Sequence, residues 1–255
     1  MEIAYPVCAP SLVATLRSLT PARVGLERVG VSLTTRDFLA FQRGHAQARD
    51  AVYAELQPAT LAGAVAEVAG SKELQLSSSA GDRTRYLQRP DLGRKLDEAS
   101  SRLVKQHRGA FDLAVVLVDG LSALAVERHA IRVLEALMPR LEGWRIAPVC
   151  IVEQGRVAIG DEIGSALGAE IAVVLIGERP GLSSPDSLGA YITWQPQLGR
   201  TDAERNCISN IRPEGLSYAE AALQLAACVV AARRFRGTGV ALKLEPVQLG
   251  EKASR

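Results

Sequence analysis

Three features of this 255-residue chain predict an α/β fold: an open parallel sheet with helices on both faces, preceded by a helical N-terminal region. The first is Leu113-Ala-Val-Val-Leu-Val118, apolar at every position, as a strand buried on both faces requires. The second is the recurrence of such runs at 146–152 and 171–176, with helix-period segments between them. The third is where the runs end. Val118 leads into Asp119-Gly-Leu-Ser122 and Ile176 into Gly177-Glu-Arg-Pro-Gly181, which are polar, glycine-bearing turns. Alternating strand and helix implies right-handed crossovers within one sheet.

The elements follow in order. Pro10 to Leu19 places Leu12, Leu16 and Leu19 on one helical face. Thr34-x-x-Asp37 has the form of a helix start, and Phe38, Phe41, His45, Ala48 and Val52 recur at helical spacing until Pro58. Leu61 to Val68 is a further helix closed by Gly70, and Ser77-Ser-Ser-Ala-Gly81 breaks the chain. Beyond Pro90, Leu92, Leu96, Ala99 and Leu103 share a face, with Gly109 as the stop.

The strand at 113–118 opens the sheet and runs into a helix carrying Leu121, Leu124, Ala125, Leu134 and Leu137, closed by Pro139. The strand at 146–152 is followed by a helix over 161–167; 171–176 is a third strand and 190–194 a fourth. From Gly177 to Tyr218 the chain is rich in Gly, Pro, Ser, Asn and Asp, yet it carries Tyr191, Trp194, Cys207 and Ile211. That mixture predicts shaped loops with one short strand among them, the setting in which binding groups concentrate. Ser217-x-x-Glu220 is a capping box that opens a last helix ending at Arg233-Arg234 and Gly237. The chain divides into a helical region (1–109), a sheet domain (110–243) and a tail (244–255).

Net charge is +2, with 30 basic and 28 acidic residues, which gives no case for nucleic acid or a membrane surface. The apolar runs are too short to span a bilayer, and Met1-Glu-Ile-Ala-Tyr-Pro6 lacks the order of a secretory signal. Cys8, Cys150, Cys207 and Cys228 are widely spaced, as reduced cytosolic thiols are. Only His45, His107 and His129 are available, far apart, so no metal centre is expected. His45 and His129 fall within helices and read as satisfied structural histidines.

In open α/β sheets ligands bind beyond the carboxyl ends of the strands. The glycine turns there either admit a ligand close to the backbone or simply turn tightly, and pattern leaves both open. Gly160, Gly164 and Gly168 share a helix face that could meet a flat ligand, although close packing on the sheet is the plainer reading. Neither G-x-G-x-x-G nor G-x-x-x-x-G-K-[ST] occurs, nor does the nucleophile pattern G-x-S-x-G. The loop carboxylates Asp119, Asp161, Glu162, Glu178 and Asp186 suit capping and turn-holding better than acid–base work. Cys207 reads as a buried, inert thiol lining a pocket.

Longer motifs carry more. Asp119-Gly-Leu-Ser-Ala123, Gly155-Arg-Val-Ala-Ile-Gly-Asp-Glu-Ile-Gly164, Leu175-Ile-Gly-Glu-Arg-Pro-Gly-Leu182, Ser184-Pro-Asp-Ser-Leu-Gly-Ala-Tyr191 and Asn206-Cys-Ile-Ser-Asn-Ile-Arg-Pro-Glu-Gly-Leu216 together resemble the small (light) subunits of ethanolamine ammonia-lyases. Phe41-Gln-x-x-His-Ala-Gln-Ala-Arg-Asp50 and Tyr86-Leu-x-Arg-Pro-Asp-Leu-Gly-Arg94 resemble the same family, so the likeness runs from about Pro21 to Lys243. It implies a Rossmann-like domain and an adenosylcobalamin-dependent lyase that converts ethanolamine to acetaldehyde and ammonia. It also implies a hetero-oligomer in which a large TIM-barrel subunit holds the catalytic groups, with none in this chain.

On this resemblance the small subunit covers the lower face of the corrin, with contacts at Val157, Glu178 and Cys207 and no metal ligand. Asp119, Gly120, Ser122, Gly160 and Arg179 are wall residues by position. Around His129 the chain reads Glu127-Arg-His-Ala-Ile-Arg132, not the D-x-H-x-x-G of cobalamin proteins that replace the cofactor's own base, so base-on binding is expected. The implied location is the cytoplasm, with packaging in a bacterial microcompartment in some members. The face of Leu12, Leu16 and Leu19 is then a targeting candidate, beside its plainer reading as an interface or core helix. The first twenty residues and the tail after Lys243 depart from the family pattern. Two other functions stay open: a non-catalytic assembly protein of a metabolic complex, and a stand-alone nucleotide-dependent enzyme, which the missing phosphate-binding patterns oppose.

Overall fold

The computed structural model describes residues 12–70 and 73–242; the helix start at Pro10, Cys8 and the tail from 244 lie outside them. In chain order come α1 (Leu12–Ser18), a small hairpin of β1 (Arg28–Val29) and β2 (Ser32–Leu33), α2 (Thr35–Tyr53), α3 (Pro58–Ala69), β3 (Leu74–Ser77), α4 (Arg83–Gln88) and α5 (Glu98–Gln106). Next are β4 (Phe111–Val118), α6 (Ala123–Ala125) passing through a π turn into α7 (Ile131–Leu137), β5 (Cys150–Glu153) and α8 (Ile159–Leu167). The chain closes with β6 (Ala169–Gly177), β7 (Leu188–Trp194), β8 (Arg205–Ile211) and α9 (Tyr218–Phe235). No helix among the described residues is long and apolar enough to cross a membrane.

The six-stranded sheet runs β3-β5-β4-β6-β7-β8. Strand β4 is apolar from Leu113 to Val118 because both its faces are covered there. Leu113, Val115 and Leu117 join α3, α7 and α9 in one core, while Ala114, Val116 and Val118 join α5 and α8 in the other. The sheet is mixed rather than wholly parallel. Strands β3, β5, β4 and β6 are parallel, but β7 and β8 each run antiparallel to their neighbours. The cause is local: no helix separates β6 from β7, so the chain returns directly instead of crossing over.

Two strands of this sheet were not foreseen, nor was the small β1–β2 hairpin, and both of the sheet strands are edges. Strand β8 exposes Cys207, Ser209 and Asn210, and β3 exposes Gln75 between Leu74 and Leu76, so neither carries an unbroken apolar run. Strand β3 comes from the region read as helical and break. The stretch from 177 to 218 therefore holds two strands rather than one.

Several local signals act as read. The Thr34 hydroxyl accepts from the Asp37 N–H at 3.2 Å, Gly70 closes α3 at φ 66°, and Ser217 and Glu220 form the capping box of α9. The periodicity in α2 behaves differently. Phe38, Phe41 and His45 are exposed, and the helix rests on the body through Gly44 and Ala51 instead. Gly44 is needed there, since a Cβ would stand 2.9 Å from the Leu182 carbonyl oxygen. The apolar face of α1 is likewise uncovered, with Leu12 75% and Leu19 77% exposed, which overturns the core reading.

Candidate functional site

Strand β4 has β5 on one side and β6 on the other, reached over helices on opposite faces of the sheet. Such a switch of direction opens a crevice beyond the carboxyl ends of the strands. The crevice is present as a cleft of about 420 Å³, walled by Gly120 and Leu121 after β4, Arg156 and Val157 after β5, and Ile176 to Arg179 at the end of β6. Tyr86 from α4 and Tyr191 from β7 complete it.

The floor is fixed by a buried charge. Asp119 accepts from the Gln154 and Gly155 N–H groups at 2.8 and 3.0 Å and faces Arg83 at 3.3 Å. Burial lifts its carboxyl to about 6, while Arg83 and those N–H groups pull the other way and favour the carboxylate. Arg83 also donates to the Gly120 carbonyl at 2.9 Å and to the Val52 carbonyl at 2.7 Å, tying α2 to the turn after β4. Tyr86 is fully buried and donates to the Gly155 carbonyl at 2.9 Å. Asp119 is thus the keystone beneath the turns.

The glycines serve this packing. Gly120 has φ 55°, and a Cβ on it would lie 2.3 Å from the Gly177 carbonyl oxygen; the Leu121 N–H donates to that same oxygen at 3.0 Å. The turns are tight against each other, as well as bordering the cleft. In α8, a Cβ on Gly160 would stand 2.2 Å from Val174 and one on Gly164 would stand 2.6 Å from Pro196 and 3.2 Å from Ala172, so these two glycines pack on β6 and the turn after β7, while Gly168 caps the helix against the Gly109 carbonyl. The plainer reading of the stripe holds, and Gly160 is no cleft wall.

The predicted site residues separate as follows. Val157 and Glu178 line the cleft together, with Gly120 and Arg179. Glu178 accepts from the Ser187 hydroxyl and from the Asn210 N–H at 3.3 Å, which fixes its carboxylate between β6 and β8. Cys207 stands beside the cleft, paired across the sheet with Tyr191. It is exposed, not buried as expected, because β8 is an edge strand. Its thiol is nonetheless raised above the ordinary value by desolvation and the Glu178 charge, so it remains protonated.

Asp119 and Ser122 lie behind the wall; the Ser122 hydroxyl donates to the Pro185 carbonyl at 2.9 Å. The other carboxylates are consumed structurally. Asp161 pairs with Arg205, Glu162 accepts from the Leu96 N–H at 2.9 Å, and Asp186 pairs with Arg128 at 2.7 Å. Among the described residues Glu178 alone brings a carboxylate to the cleft lining, so no acid–base pair faces it. No histidine lines it either. His129 sits 2.9 Å from the Tyr218 hydroxyl through Nδ1, while its Nε2 makes no hydrogen bond but lies 3.6 Å from an Asp186 carboxylate oxygen; burial lowers its pKa despite that carboxylate. His45 is exposed, so its reading as a satisfied structural histidine fails.

The sequence reading missed Tyr86, Arg156 and Tyr191 as cleft residues. With aromatics at only 4% of the chain, tyrosines inside long motifs were a usable signal.

An open α/β sheet with a cleft beyond the carboxyl ends of its strands is the class of protein that the fold defines. The comparisons make this specific: the chain belongs to the ethanolamine ammonia-lyase light chain (EutC) family, whose model matches residues 10–243. It is 56% identical over 234 residues to the ethanolamine ammonia-lyase small subunit of Ralstonia nicotianae, covering 89% of this chain and 86% of that one. It is 58% identical over 236 residues to the same subunit of Azotobacter vinelandii (90% and 87% covered). Against that of Xanthomonas campestris it is 57% identical over 238 residues (91% and 87% covered).

Proposed function

We propose that this chain is the small subunit of an adenosylcobalamin-dependent ethanolamine ammonia-lyase, which converts ethanolamine to acetaldehyde and ammonia together with a large TIM-barrel subunit. The family membership carries the reading; the cleft supplies its physical content. Pockets of about 300–1,000 Å³ enclose drug-sized ligands. At about 420 Å³ the cleft could take only part of a molecule as large as cobalamin, which supports a site shared with another chain. A flat ring edged with carboxamides suits the apolar Leu121, Val157 and Ile176 beside the polar Glu178.

When bound, the cofactor supplies the radical by homolysis of its cobalt–carbon bond, and the protein's part is to bind, orient and exclude water. Here Val157 would pack against the corrin, Glu178 would accept from one of its side-chain amides, and Cys207 would lie at its edge as a neutral thiol. Base-on binding goes with this reading, since His129 is committed to Tyr218 away from the cleft lining. The uncovered apolar residues of α1 and α2, among them Leu12, Leu16, Phe38 and Phe41, support an obligate partner. A cytoplasmic location belongs to the same proposal, and so does α1 as the address where the enzyme is packaged in a microcompartment.

The test is co-expression with the cognate large subunit and an assay for acetaldehyde from ethanolamine. The expected result is activity that requires both chains and adenosylcobalamin. A stable complex without activity, indifferent to cobalamin, would favour an assembly role instead.

A further inference from the structure

The cleft floor holds an unbalanced positive charge. Arg83 and Arg156 both stack on the Tyr86 ring, with guanidinium carbons 4.9 and 4.4 Å from its centre. The single carboxylate beside them, Asp119, is taken up by Arg83 and two backbone N–H groups. Glu178 is engaged by Ser187 and Asn210. The Arg156 guanidinium makes no hydrogen bond or ion pair with the described residues, and its Nε is buried without a partner. Its backbone is nevertheless anchored, the N–H donating to the Gly93 carbonyl at 2.7 Å, and the stack on Tyr86 restricts the side chain. Arg179 adds an exposed cation at the rim.

A stacked, pre-oriented guanidinium with free donors is built for an oxyanion. Resting on the function proposed above, we infer that Arg156 binds the phosphodiester of the cobalamin nucleotide loop. That group is the one negative charge on the lower side of a base-on corrinoid. Glu178 and Arg156 then divide the ligand between them, the carboxylate reading amide N–H groups and the guanidinium reading the phosphate.

The experiment compares two corrinoids on the purified complex of this chain with its large subunit. Hydroxocobalamin carries the phosphodiester; diaquacobinamide lacks the whole nucleotide loop. Affinity is read from absorbance of bound corrinoid, in wild type, Arg156→Gln and Arg156→Lys. Loss of a charge-assisted contact should weaken hydroxocobalamin binding by roughly tenfold to a hundredfold in Arg156→Gln, with partial recovery in Arg156→Lys. Cobinamide binding should stay within about threefold of wild type, because the removed contact has no counterpart there. Equal losses for both corrinoids, or none for hydroxocobalamin, would overturn the assignment. A wild-type complex that binds neither would overturn the function it rests on.

Discussion

Gly177→Ala should unfold the cleft. A Cβ at this position would stand 2.0 Å from the Ser122 carbonyl oxygen and 2.6 Å from that of Asp119. Both obstacles are backbone atoms in a turn pinned from beneath by Arg83, so neither can swing aside. Strand β6 and the turn after β4 must move apart, breaking the Leu121 N–H bond to Gly177 and the seat of Asp119. Overpacking of this kind costs about 1–3 kcal/mol or more. At roughly 2–4 °C per kcal/mol for a chain of this size, the melting temperature should fall by about 2–12 °C. Cobalamin binding by the complex should be lost with it. Gly63→Ala is the control: nothing lies within 4 Å of its Cβ position, and in the interior of α3 the change should be neutral or stabilising by up to about 1 kcal/mol. A Gly177→Ala protein that melts with wild type would show that the two turns are not in contact.

Arg205→Met should be more damaging to stability. Asp161 and Arg205 form a two-pronged ion pair, both contacts 2.7 Å, with side chains only 3% and 2% exposed. Arg205 further donates to the Thr193 hydroxyl at 3.0 Å and the Arg200 carbonyl at 2.9 Å. Removing it leaves a buried carboxylate without its counter-charge, a loss of about 3–5 kcal/mol. The expected fall in melting temperature is about 6–20 °C. The pair ties α8 to the start of β8, so β8 and its Cys207 should loosen first. The Asp161→Met/Arg205→Met double variant should recover much of the loss, since no uncompensated charge remains. Arg89→Met, by contrast, removes an exposed, solvent-screened pair and should leave the melting temperature close to that of wild type. Equal effects of Arg205→Met and Arg89→Met would contradict the role given to burial.

The sheet core was legible because the runs at 113–118, 146–152 and 171–176 are apolar on both faces. The edges were not: β3 and β8 alternate or expose polar groups, and their pairing partners lie far off in sequence. The helix caps were legible because capping is local. The exposure of Phe38 and Phe41 was not, since periodicity marks an apolar face without saying which chain covers it. Val157 and Glu178 entered through family resemblance, and the structure brings them to one cleft. Tyr86 and Arg83 reach that cleft from about 70 positions away, as the Tyr86 bond to Gly155 illustrates, and no local pattern announces such a contact. The glycine stripe of α8 shows the converse: spacing was visible, but only the neighbour at 2.2 Å, Val174, decides between ligand and sheet.

The central claim is that this chain provides part of a cobalamin site and needs a second chain to complete it. The most direct measurement is gel filtration of hydroxocobalamin with this chain, with the large subunit, and with the two together, following the corrinoid absorbance that travels with protein. Half a cleft should release the ligand during the run, so the account predicts retention by the complex and little by this chain alone, with Glu178→Ala lowering what the complex retains. Equal retention by the large subunit without this chain, or retention in the complex unaffected by Glu178→Ala, would contradict it.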